Sequence, residues 1–278
     1  MILDTHQHFW KVDRGDYHWM TPEVPVLARD YLPDDLRPAL RTAGVAQTII
    51  VQAAQTVAET DFILQLAEET DFVAGVIGWF DLEDENFPLA FAEKRKKHPK
   101  LLGVRPMLQD LADDDWVIRK KVIANLRYLA DQQVVFEFLT YTRHLPTVLV
   151  VLEQIPRLHA VIDHISKPEI KAGRMEPWQG LISKVASHQN VFCKLSGMIT
   201  EADHGTWEPD HLRPYIEHVL ESFGEDRVMF GSDWPVCLLA GSYAEAVNAL
   251  RTVVSTRLSP EGLNKLFWRN GARFYGIQ

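Results

Sequence analysis

Cysteine is scarce in this 278-residue sequence, which has only Cys193 and Cys237. Two thiols so far apart make no disulfide framework, so a small stapled scaffold is excluded and a reducing compartment fits. Basic charge is also short: 29 Lys and Arg stand against 38 Asp and Glu, a formal net charge of −9. An acidic surface repels phosphate backbones, so no nucleic-acid partner is expected. The basic block Lys94–Lys97 reads as the polar face of a surface helix. No apolar run approaches the ~18 residues of a membrane span. Met1-Ile2-Leu3-Asp4-Thr5-His6 lacks the basic start and apolar stretch of a signal peptide. No membrane association and a cytoplasmic location are therefore expected. Ser/Gly linkers, composition breaks and internal repeats are absent too, which predicts one domain over residues 1–278.

What the sequence does have is apolar bulk. Hydrophobic residues make up 46% of it, enough for a large core, and charged residues 24%, an ordinary globular share that argues against disorder. Short apolar runs rich in β-branched residues predict strands at Met1–Thr5, Thr48–Gln52, Val73–Trp79, Leu101–Arg105, Val134–Phe138, Ala160–Asp163, Val191–Lys194 and Val228–Gly231. They are continuous rather than alternating, as in strands buried on both faces. Amphipathic segments at Asp61–Thr70, Glu85–His98 and Asp114–Asp131 predict helices between them. Ser259-Pro260-Glu261 reads as a helix start, with Ser as N-cap and Pro at the first helical position. About eight strand–helix units predict an α/β fold, a closed (β/α)8 TIM barrel, with a seven-unit open sheet as the alternative. Phe9–Arg29, Ser166–Pro177 and Thr200–Pro209 read as long loops at the catalytic end of such a barrel. The first carries Trp10, Tyr17, His18 and Trp19, suited either to lid a polar ring or to plug one barrel end.

Three segments carry the chemistry. In Asp4-Thr5-His6-Gln7-His8, side chains two apart on a strand share a side, so His6 and His8 project together where the first strand ends. Two imidazoles there bind a divalent metal or polarise a carbonyl. In Val161–Pro168 the apolar run stops at His164, again at a strand C-terminus, where polar residues read as functional; a satisfied core histidine is the alternative. In Val228–Pro235, Asp233 follows an apolar strand and a Gly, as a base would, or as a helix N-cap would. Gln52, Trp79, Asp81, Arg105, Gln109, Glu137, Lys194 and Ser196 stand at other strand ends. Arg105 suits a carboxylate or an ester oxygen. Glu137 and Lys194 fit a barrel-interior ion pair as well as catalysis. Cys237 reads as a small buried residue rather than a nucleophile.

Asp4-x-His6-x-His8, a His ending the sixth strand and Gly231-Ser232-Asp233-Trp234-Pro235 together resemble the amidohydrolase superfamily. The chain is most similar to its sugar-lactonase branch of L-fuconolactonases and L-rhamnonolactonases. Leu27–Pro33, Leu108-Gln109-Asp110, Cys193–Gly197 and Thr200–Asp203 extend the match over almost the whole chain. The resemblance implies a (β/α)8 fold and hydrolysis of an aldonolactone of the L-fucono or L-galactono type to the open-chain acid. It makes Asp233 the general base and sets His6, His8 and His164 at the carbonyl. Within the branch some enzymes work without metal and others bind one zinc, here through His6, His8 and Asp233. Relatives read Arg-His where this chain has Arg105-Pro106. The carboxylated-Lys bridge of two-metal amidohydrolases is missing, and the fifth strand offers Glu137 instead. Gln52, Arg105, Gln109, Lys194, Ser196 and Asp30 are available for ring hydroxyls. The rivals are a zinc-dependent decarboxylase, a carboxylated-lactone hydrolase gripping its substrate through Arg105, and a non-catalytic sugar-acid binding protein. Monomer and dimer are both compatible with the sequence.

Overall fold

The computed structural model describes residues 1–21 and 23–277. Strands and helices alternate: β1 (Ile2–Gln7), α1 (Pro33–Ala43), β2 (Val45–Val51), α2 (Val57–Glu69), β3 (Val73–Gly78), α3 (Phe87–Lys97), β4 (Leu101–Val104), α4 (Lys120–Asp131), β5 (Val135–Phe138), α5 (Leu145–Gln154), β6 (Ala160–Ile162), α6 (Trp178–Ala186) and β7 (Val191–Leu195). A short α7 (Met198–Glu201) and then α8 (Pro209–Phe223) lead to β8 (Val228–Phe230). The chain continues through α9 (Tyr243–Val254), α10 (Pro260–Asn264) and α11 (Asn270–Tyr275).

All eight strands are parallel, in the order β1 to β8. β8 returns to β1 at the C-terminal end, where Gln7 and Trp234 form a parallel bridge. Asp233 N–H donates to the His6 carbonyl at 2.8 Å, and His8 N–H to the Trp234 carbonyl at 2.7 Å. The sheet is therefore a barrel, not the open seven-unit alternative.

The continuous apolar runs have a physical reason. Alternate residues of each strand face inward and outward, and both sides are covered. Ile49, Val51, Ile77, Val135, Val161 and Met229 fill the barrel interior. Ile50, Val76, Phe136, Phe138, Ala160 and Ile162 pack outward under the helices. Phe274 and Tyr275 of α11 join the interior layer.

Helix signals hold locally. Thr56 and Ser259 cap α2 and α10, accepting from Glu59 N–H at 3.0 Å and Gly262 N–H at 3.1 Å. α2 thus starts a turn before the predicted Asp61. The Asp114–Asp131 segment divides into a 3-10 turn, Trp116–Ile118, and α4, because Arg119 between them has ψ 144°. The basic run forms the last turn of α3, where Lys94 pairs with Asp61. Both cysteines are buried and unpaired. Among the described residues no helix is long and apolar enough to cross a membrane.

Candidate active site

The C-terminal ends of β1, β6 and β8 bring four side chains to one point. Asp233 Oδ1 lies 3.3 Å from His8 Nε2 and 3.8 Å from both His6 Nε2 and His164 Nε2. The His6 ring centroid is 5.0 Å from that of His8 and 4.4 Å from that of His164. All four residues are at most 4% exposed. Helix capping does not explain Asp233, since Ser242 caps α9.

The backbone is forced into this arrangement. Asp233 has φ 58°, and His164, Ile165, Ser166 and Lys167 have φ 51°, 49°, 63° and 46°. Left-handed geometry costs an L-residue about 1–2 kcal/mol each, and such strain persists where surrounding packing over-determines it. Here Trp178 Nε1 donates to the Ile165 carbonyl at 2.6 Å, and Ser166 shares a 2.7 Å hydroxyl bond with Thr140. Two glycines make room for the rings. A Cβ on Gly231 would stand 2.6 Å from His6 Cβ, and one on Gly197 2.6 Å from His164 Nδ1.

Each imidazole is oriented by a partner behind it. His8 Nδ1 donates to the Val51 carbonyl at 2.7 Å, which turns Nε2 toward Asp233. His164 Nδ1 bonds Ser196 Oγ at 2.9 Å. His6 Nδ1 lies 3.2 Å from Lys194 Nζ and 3.4 Å from Asp163 Oδ1, and its Nε2 lies 3.2 Å from an Arg105 nitrogen. Lys194 pairs with Glu137 at 2.7 Å and Asp163 at 3.1 Å, and Arg105 with Asp163 at 3.2 Å. A buried charge network thus lies beneath the histidines.

The electrostatics follow from burial and these neighbours. Burial, with the Lys194 and Arg105 cations, drives His6 well below its ordinary value, and burial does the same to His164. Both rings are neutral at pH 7. Burial alone would raise the Asp233 carboxyl, but His164, the His8 contact and Lys167 hold it below the usual carboxylate range. Burial and the Asp163 charge push Glu137 up to about 7, against the pull of Lys194. Asp4 rises to about 6 through burial although it accepts from Ser232 N–H, His6 N–H and the Tyr243 hydroxyl.

Three of the four groups, His8, His164 and Asp233, open onto a cleft of about 180 Å³, and His6 is fully buried behind them. His8, Arg105, Gln109, His164, Lys167 and Asp233 form its polar side. Trp10, Trp19, Val24 and Leu27 of the first long loop form an apolar wall with residues such as Met107 and Leu139. That loop is pinched at its base by the antiparallel Trp10–Tyr31 bridge, and Trp19 Nε1 donates to the Ala53 carbonyl at 2.7 Å.

Four predicted substrate contacts stand elsewhere, one of them Ser196, which holds His164 from behind. Gln52 is fully buried and donates to the Arg105 carbonyl at 2.9 Å, so it braces Arg105 from below. Lys194 lies in the charge network rather than on the cleft wall. Asp30 accepts from Val12 N–H at 2.9 Å and ties down the loop. Asp163 and Asp4 received no role from the sequence. Each is a polar residue in an apolar strand segment, one or two positions before a histidine, and that was the available signal.

Two strand-end histidines, a third from β6 and an Asp after β8, closed over by loops, define a hydrolytic barrel enzyme. The chain belongs to the amidohydrolase family, whose sequence profile matches residues 3–277. It is 40% identical to an L-fucono-1,5-lactonase of Burkholderia ambifaria, covering 99% of this chain and 95% of that one. An L-fucono-1,5-lactonase of Burkholderia multivorans is 36% identical over 99% of this chain and 96% of its own. A crystal structure of a Burkholderia multivorans amidohydrolase with bound zinc superposes with a TM-score of 0.95 at 35% identity, covering both chains in full.

Proposed function

We propose that the protein hydrolyses a sugar lactone, L-fucono-1,5-lactone or a close aldonolactone, to the open-chain acid. The observation that carries this reading is the convergence of three imidazole nitrogens within 3.8 Å of one ionised carboxylate at the floor of a small cleft. The lactonase names of two relatives matching over nearly full length support it.

In this mechanism Asp233 takes a proton from water as the water oxygen attacks the lactone carbonyl carbon. The bond from that carbon to the ring oxygen then breaks, and Asp233 returns the proton to the leaving alkoxide. If the Ser196 hydroxyl donates to His164 Nδ1, Nε2–H of that ring faces the cleft as a donor to the oxyanion. Oxyanion donors contribute about 3–4 kcal/mol in other enzymes. Gln109 lines the cleft and would meet a ring oxygen.

The donor set also fits a divalent ion. His8 Nε2 and an Asp233 oxygen stand 3.3 Å apart, and with a His6 nitrogen they form a cluster of ligand atoms within 4.8 Å of one another. Zinc with bonds of about 2.0–2.2 Å spaces tetrahedral ligands roughly 3.3–3.6 Å apart. His6, His8 and Asp233 would hold it, with Asp163 orienting His6 from behind. When bound, such an ion polarises the carbonyl and makes the water more acidic.

Arg105 is already paired with Asp163 and bonded to the Gln52 carbonyl. That makes it a poor grip for the carboxylate of a carboxylated lactone.

The test is proton release, followed with a pH indicator, over a panel of L-fucono-, L-galactono- and L-rhamnono-lactones. Rapid hydrolysis of the first two is expected, with Asp233→Asn slower by orders of magnitude and equally folded. Spontaneous rates across the panel would overturn the proposal, and full activity of Asp233→Asn would remove it as the base.

A further inference from the structure

We infer that Lys167 is the cation that receives the negative charge formed during lactone opening, and so a binding residue for the product carboxylate. This rests on the lactonase proposal and adds a residue to it.

Among the described residues lining the cleft, the cationic ones are Arg105 and Lys167. Arg105 is committed: one nitrogen lies 3.2 Å from Asp163, another bonds the Gln52 carbonyl, and the residue is 2% exposed. Lys167 is not. Its carboxylate neighbour, Glu201, stands 3.9 Å away, and the Tyr141 ring lies beneath the ammonium at 5.3 Å. A contact of 3.9 Å is too long for a hydrogen bond and leaves donors free for a ligand.

The backbone gives an independent reason to assign Lys167 to the site. It ends the left-handed run that begins at His164, and its N–H donates to the His164 carbonyl at 2.8 Å. The run closes one tight turn, and the residues at its two ends both line the cleft. A strained turn of four consecutive non-glycine residues is maintained by packing around Ile165 and Ser166. The geometry that fixes His164 over Asp233 therefore fixes Lys167 as well.

The chemistry says what an uncommitted ammonium does there. The lactone is neutral, while the tetrahedral intermediate and the product carboxylate are anionic. A cation gains little from the substrate and more from the transition state and the product. Its loss should fall on kcat and on product affinity, with KM for the neutral lactone nearly unchanged.

The experiment uses Lys167→Met together with Lys167→Asn, since Asn tolerates left-handed geometry. Hydrolysis of L-fucono-1,5-lactone gives kcat and KM, and calorimetric titration with L-fuconate gives acid affinity without turnover. Both variants should lose about ten-fold or more in kcat and in acid affinity, with KM within about three-fold, as for removal of a charge-assisted contact. Glu201→Gln separates this role from a structural ion pair. It should tighten L-fuconate binding, whereas a merely structural pair would make it behave like Lys167→Met. If the wild type hydrolyses the lactone and the Lys167 variants match it in kcat and acid affinity, the inference falls. A wild type that neither hydrolyses the lactone nor binds the acid would sink the lactonase proposal instead.

Discussion

Replacing Glu59 with glutamine tests how a buried carboxyl shapes the pH dependence of stability. Glu59 lies in the first turn of α2 and is fully buried. One oxygen accepts from Ala53 N–H at 3.0 Å, and the other is buried without a partner. Burial pushes its pKa from 4.5 to about 8, against the pull of the Ala53 bond. Because the folded value is raised, the stability linked to this proton is complete below the unfolded value. It is lost as pH rises toward and through the folded one. Across that window each pH unit weighs against the wild type by a factor of about ten. At pH 7 this amounts to about 3 kcal/mol, and above pH 8 to about 5 kcal/mol. Glutamine does not titrate, and its carbonyl keeps the Ala53 bond. Its amide meets an unpartnered site at a cost of about 1–3 kcal/mol, the same at every pH. The diagnostic is therefore the slope. Urea unfolding of both proteins from pH 5 to 9 should show the Glu59→Gln advantage growing up to pH 8 and then levelling off. A difference that is flat or shrinks with pH would refute the argument.

The other predictions concern the site and its support. Ser196→Ala removes the hydroxyl that orients His164 and should cut kcat about 10–100-fold with little change in thermal midpoint. Lys194→Met leaves Glu137 and Asp163 buried beside each other and should destabilise by about 3–5 kcal/mol in urea titrations. Exchanging Lys194 and Glu137 together for Met and Leu should cost less than the sum of the single changes. After treatment with a chelator, added zinc should raise the melting temperature of the wild type and leave that of His8→Ala unmoved.

The strand order was legible in the sequence because barrel strands are buried on both faces and read as unbroken apolar runs. His6, His8, His164 and Asp233 were legible because each ends such a run. Depth was not. Gln52, Arg105 and Lys194 all stand at inward-facing strand ends, but whether such a residue meets the cleft or a neighbour depends on what stands across the barrel. The Lys194–Glu137 ion pair was one of the two readings those residues offered, and the structure shows it; that Asp163, from the turn after β6, joins the pair is encoded by no local pattern. The left-handed run at His164–Lys167 was equally hidden, since it contains no glycine to announce it. Asp163 was passed over because it precedes the more conspicuous histidine.

The seam between β8 and β1 is also the place where the proposed catalytic groups assemble. The bonds that close the barrel run from Asp233 and Trp234 to His6 and His8. Activity is therefore a direct reporter of ring closure: a molecule with that seam unzipped has lost the site, whatever its helix content. Met1, 78% exposed, emerges at the other end of β1. A fusion partner joined there leaves from the face opposite the cleft. The same strand makes the protein suited to fragment complementation, in which a chain lacking residues 1–8 regains turnover only when a peptide carrying β1 zips into the open edge.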